Sequence, residues 1–302
     1  MLPLAGALDR WILLAGILLV IGAPAFRLAV LGRMTFHPDA DADGAPAARR
    51  VAGLALAAAA LILVAGAGRF VLQALDLRDP DLPLLPQLTA LLFATTWGWV
   101  WIAQMCAALA VVLAASLARR GRRLGWAILA AAALVLAWTP ALAGHAVSSS
   151  RWTALAVLSD GLHVLGAGAW LGAMAALAEG LVLARRFGQG RIGEAMVGAF
   201  SPMALAGAIL VAVSGLVSTW VHLAGGLSDL WTTRWGRTLL LKLALVAIMA
   251  ALGAWNWRRA GPALREGGDV GPMLRSVRAE LVTGALIVLA TAVLIGTAQP
   301  GE

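Results

Sequence analysis

Two histidines, His145 and His163, flank the short polar stretch Ser148-Ser149-Ser150, and Asp160 lies three residues before His163. Positions three apart on a helix are neighbours, so this carboxylate and this imidazole share a face. Imidazole and carboxylate together accept Cu(II) or Cu(I). Two imidazoles at one depth on adjacent helices would alternatively ligate a haem iron from both sides. The face that begins at Asp160 and His163 continues through Ala167, Trp170 and Met174, within about 80° of helix circumference. Met203 and Cys106 add soft sulfur donors at other points of the chain, and thioether and thiolate suit Cu(I). Such residues also pack well in apolar cores, which is the simpler reading of this Met/Cys ladder.

The remaining polar candidates carry less. His222 sits beside Trp220 and reads first as an interfacial residue and second as a further ligand. His37 lies among Asp39, Asp41 and Asp43 and reads as a solvated loop residue. Lys242 has three readings: it snorkels to the interface, pairs with Asp160, or keeps stray cations away. An ionisable group inside a membrane helix is costly and is a functional candidate by default.

These residues stand out because so little else is polar. Hydrophobic residues make up 61% of the 302 and charged residues 13%, against about 45–50% and about 25% in an ordinary globular chain. Apolar runs fall roughly at 11–31, 51–73, 91–117, 125–143, 154–181, 199–222, 236–257 and 279–298, and a bilayer core needs about 20 helical residues. The chain is therefore expected to be an all-α polytopic bundle of eight transmembrane helices forming a single domain, with the lipid bilayer as its main partner. The first run has no basic region before it and reads as a retained helix rather than a signal peptide.

The net charge of +8 invites a nucleic-acid reading, but the arginines lie between apolar runs. Alternate connections hold fifteen basic residues on one side and five on the other. The positive-inside rule then places both termini outside. Arg49, Arg50, Arg119 and Arg120 belong to the inner set and on this reading need no anionic ligand. Nine tryptophans gather near the opposite end, as an interfacial belt would.

No Walker A loop, Cys-x-x-Cys, His-Glu-x-x-His or Gly-x-Ser-x-Gly occurs, so ATP coupling, thiol redox chemistry and hydrolysis have no motif here. The chain reads as a non-enzyme. Single Cys106 excludes an intrachain disulfide.

The two halves, about 1–150 and 151–302, echo each other. Asp9 opens the first helix as Asp160 opens the fifth. Thr96-Trp97-Gly98 corresponds to Arg234-Trp235-Gly236, and Gln104 to Lys242. Two four-helix halves in parallel orientation would produce this pattern. The counterparts of His145 and His163 in the opposite halves are Thr297 and Ile12, so neither imidazole is duplicated, as expected for one polar site.

Asp160-Gly161-Leu162-His163 followed by Trp170-Leu171-Gly172 resembles the fifth-helix signature of the copper resistance protein D family of inner-membrane proteins. The resemblance extends through Phe200-Ser201, Gly215, Trp235-Gly236-Arg237, Lys242, Gly253-Ala254, Asn256, Leu274-Arg275-Ser276-Val277, Glu280, Thr291-Ala292 and Pro300. It covers about 150 residues, whereas the first half matches mainly in hydropathy. Ala173 and Trp257 depart from the family pattern. The resemblance implies copper transport or handling across the bacterial inner membrane, often with a small periplasmic copper carrier as partner; termini placed outside by the charge count are then periplasmic. The family's histidines map by position onto His145 and His163.

Overall fold

The computed structural model describes residues 2–34, 40–143, 153–222, 228–267 and 269–297. Among them there is no strand, and eight helices are long and apolar enough to cross a membrane. They are α1 (Leu4–Met34), α2 (Ala45–Asp76), α3 (Thr96–Arg119), α4 (Arg123–Leu142), α5 (Thr153–Arg186), α6 (Gly190–Trp220), α7 (Arg234–Arg265) and α8 (Val270–Ile295). The all-α membrane bundle expected from hydropathy is what forms. Several helices run past their apolar runs: α8 begins at Val270, so Arg275 and Arg278 are helical rather than in a connection. A short apolar helix, Leu84–Phe93, fills the long link between α2 and α3.

Local chemistry explains the turns. Gly121, Gly188 and Gly267 have φ of 77°, 68° and 86°, the left-handed conformation that ends helices at low cost only in glycine. They close the tight α3–α4, α5–α6 and α7–α8 hairpins at the arginine-rich end. At the other end α3 and α7 start alike. Thr95 Oγ1 accepts from Gly98 N at 3.0 Å, and Thr233 Oγ1 accepts from Gly236 N at 2.9 Å. Each satisfies one of the unpaired amides of a helix start.

The centre of the bundle is the crossing of α1 and α5. A Cβ on Gly172 would overlap the Leu18 carbonyl oxygen, and one on Gly22 would overlap the Gly172–Ala173 backbone. Without a strong hydrophobic drive between helices in lipid, such backbone-to-backbone approach supplies the packing energy. Around the crossing, α1 also packs on α2, α4 and α8, while α5 packs on α4, α6 and α8. Both crossing helices contain a wide π turn, Arg27–Leu31 in α1 and Gly168–Gly172 in α5. The π turn rotates everything beyond it, so the sequence face from Asp160 to Met174 is not one straight stripe.

Some of the tryptophans expected to form an interfacial belt serve packing instead. Trp11 Nε1 donates to the Ala285 carbonyl at 3.0 Å and Trp101 Nε1 to that of Gly66 at 2.7 Å. Trp235 is buried, whereas Trp99, Trp220 and Trp231 are exposed. An indole N–H in an apolar medium needs a partner, and a neighbouring helix backbone provides one.

Candidate functional site

The first turns of α5 approach α6 closely because both surfaces are small there. A Cβ on Gly207 would lie 2.9 Å from the Gly166 carbonyl oxygen, and one on Gly215 would lie 3.3 Å from His163 Cε1. Any larger residue at these positions would hold the helices apart. The close approach lets three serines bridge the seam. Ser159 Oγ donates to the Ser214 carbonyl at 2.8 Å. Ser218 Oγ donates to Asp160 Oδ1, and His163 Nδ1 lies 3.1 Å from Ser214 Oγ. Ser159 and Ser214 are buried. Residues three apart on α5 thus meet residues four apart on α6, as antiparallel neighbours require, and Asp160 and His163 do share a face.

The hydrogen bonds assign the imidazole. Ser214 Oγ donates its proton to the Leu210 carbonyl at 2.6 Å, so the contact to His163 requires Nδ1–H to donate. Nε2 then keeps its lone pair, the form in which histidine binds metal ions. Asp160 accepts from Ser218 with one oxygen, which ties the carboxylate to α6 one turn from the His163–Ser214 contact. From α7, half-buried Lys242 lies within electrostatic reach of both Asp160 and His163. Lys242 and Asp160 form no ion pair among the described residues, so the pairing reading of Lys242 is not the contact seen. The Arg234–Trp255 segment does not pack along α6; α7 meets α6 through Gly261–Arg265.

The other sequence candidates are distributed. His145 and His37 lie outside the described residues. The helix carrying the α6 span ends at His222, whose side chain is also outside them. Met174 is enclosed in the core, Met203 is half-buried on α6, and Cys106 is exposed on α3. The Thr153–Ala167 segment packs on α6, α4 and α1, and α3 is not among its neighbours. Among the described residues no group of three His, Cys, Asp or Glu converges as a metal site.

Sequence reasoning missed Ser159, Ser214 and Ser218. Their signal was available: Ser214 and Ser218, four apart beside Gly215, put two hydroxyls on one face of a largely apolar helix. A second buried polar contact joins α7 to α8, where Asn256 Nδ2 donates to Glu280 Oε1 and Glu280 is 4% exposed. Two buried polar atoms, Gln104 Nε2 and Asn256 Oδ1, have no hydrogen-bond partner among the described residues.

A family model described as copper resistance protein D-like, N-terminal domain, matches residues 1–155, and the copper resistance protein D model matches residues 194–294. The chain belongs to the copper resistance protein D family. Membership supports a role in copper handling. It also corrects the expectation that the first half resembles the family mainly in hydropathy, because that half is matched by a model of its own. A curated relative, the copper transport protein CutJ of Bacillus subtilis (strain 168), is 30% identical over 219 residues, 70% of this chain. The chain spans 38% of that relative's length. No solved structure matches.

Proposed function

We propose that this chain transports copper ions across the bacterial inner membrane and takes them up at the outer end of the α5–α6 seam. The observation that carries this reading is the assigned imidazole: His163 presents Nε2 as a lone-pair donor while Ser214 holds Nδ1–H, with the Asp160 carboxylate on the same face. Imidazole plus carboxylate suits Cu(II) and Cu(I) alike. The sequence reading supplies His145 as the second imidazole of the proposed set and His222 as a further ligand. The arginine distribution supports placing this end outside, with both termini periplasmic.

In this mechanism the substrate copper ion arrives from a periplasmic carrier protein and exchanges onto His145 and His163. Asp160 supplies the charge that offsets the cation's lost hydration. Inward movement is ligand exchange, and Met174 and Met203 lie on the two helices of the same seam, nearer the arginine-rich end. Exposed Cys106 is off that route. No bond other than metal–ligand bonds is made or broken.

The test is copper flux into proteoliposomes containing a trapped copper indicator, comparing wild type with the His145→Ala/His163→Ala double variant. Flux is expected to fall at least about tenfold, within the range for losing metal-site residues. Undiminished flux would overturn the proposal. A Soret band in the purified protein would replace copper with haem at these histidines.

A further inference from the structure

Basic residues at one end of a membrane protein usually report its orientation, and scattered arginines need no other explanation. Four of them here are not scattered. Arg49 and Arg50 on α2 and Arg119 and Arg120 at the end of α3 line one cavity of about 760 Å³ at the arginine-rich end. One carboxylate enters it, Glu179 of α5, which pairs with Arg50 at 3.1 Å. That pair is exposed, with side chains 40% and 41% accessible, and such pairs are readily exchanged. Among the described residues it is the one ion pair, so the cavity keeps an excess of three guanidinium charges. Guanidinium forks match phosphate oxygens in pairs, and Ser116, also in the wall, adds a hydroxyl.

The cavity is amphipathic as well as charged. Leu54 lines it one turn deeper than Arg50, and the position where a Gly53 Cβ would stand has no atom within 4 Å. Leu109, Leu113, Ser116 and Arg120 follow helical steps of four, three and four on α3, and Leu109 and Leu113 are 57% and 58% exposed. On α2 the same progression runs from Arg50 through Leu54 and Ala57 to exposed Leu61. A charged wall thus continues into lipid-facing apolar faces on both helices. A free phosphate would use only the first part of this surface, whereas an amphiphile would use both.

We propose that this cavity is a binding site for the headgroup of an anionic glycerophospholipid, whose acyl chains lie along the exposed faces of α2 and α3. Basic pockets between transmembrane helices are suited to such headgroups. The site is separate from the α5–α6 seam and does not depend on the copper reading.

The full chain in phosphatidylcholine nanodiscs doped with phosphatidylglycerol or cardiolipin provides the test, with retained lipid measured by native mass spectrometry after delipidation. Wild type is expected to retain the anionic lipids at least tenfold over phosphatidylcholine. The Arg49→Gln/Arg119→Gln/Arg120→Gln variant, which leaves the Arg50–Glu179 pair intact, is expected to lose that preference at least tenfold. Equal retention of anionic and zwitterionic lipid by wild type would overturn the proposal, and this comparison needs no variant to fold. Unchanged selectivity in a folded variant would do the same. Displacement of the lipid by millimolar inorganic phosphate alone would identify a free-phosphate site instead.

Discussion

His163 Nδ1 lies 3.1 Å from Ser214 Oγ, and that hydroxyl is itself committed to the Leu210 carbonyl at 2.6 Å. The chain of donors leaves only Nε2 of the ring to meet a cation. Ser214 is a positioning residue in this arrangement. Ser214→Ala frees the ring to rotate and to change tautomer, and copper affinity is expected to fall about 10–100-fold, as for other outer-shell partners. Imidazole ¹⁵N shifts check the cause: the variant should lose the Nδ1–H signature, whereas a purely structural serine would leave it unchanged.

Lys242 places a positive charge near the acid that would receive copper. Replacing it with Met removes a competitor for Asp160 without changing the apolar stem much. Copper affinity of Lys242→Met is expected to rise about tenfold, or roughly 1.4 kcal/mol. Asp160→Asn should weaken binding by a similar factor. Isothermal titration of both variants, and of the double variant, measures the coupling. Strict additivity would show that Lys242 acts independently of Asp160.

The α1–α5 crossing has no space for a side chain at Gly172. Gly172→Val forces the helices apart and is expected to destabilise the bundle by at least about 1–3 kcal/mol. Thermal unfolding in detergent should show a lower midpoint. Gly253, where a Cβ would meet nothing within 4 Å, is the control, and Gly253→Ala should leave the midpoint unchanged or slightly raised.

Asn256 Nδ2 donates to the buried Glu280 carboxyl. Asn256→Leu removes that donor from a buried acceptor and is expected to cost about 1–3 kcal/mol. Glu280→Gln keeps an acceptor for Asn256 and should be tolerated. The same unfolding assay ranks the two, and the opposite order would show that Glu280 is needed for its charge.

Thr95 and Thr233 cap α3 and α7 in the same way. Each Thr→Ala change is expected to cost about 1 kcal/mol. Hydrogen exchange should localise the effect to the Gly98 and Gly236 amides.

The sequence by itself determined the architecture. Eight helices follow from the length of apolar runs, because a bilayer imposes a fixed thickness and requires every backbone amide to be paired within its own helix. The face shared by Asp160 and His163 was equally legible, since it depends only on helical periodicity. The serines that orient them were not, because Ser214 and Ser218 lie 51 and 58 residues away along the chain and reach α5 only through the glycine-lined seam. The arginines show the same division. Their one-sided distribution is a property of the sequence and speaks of orientation. The convergence of Arg49, Arg50, Arg119 and Arg120 on one cavity arises only when α2, α3 and α5 pack together. Arginines far apart in sequence meet there through the packing of helix against helix, which no local pattern in the chain encodes.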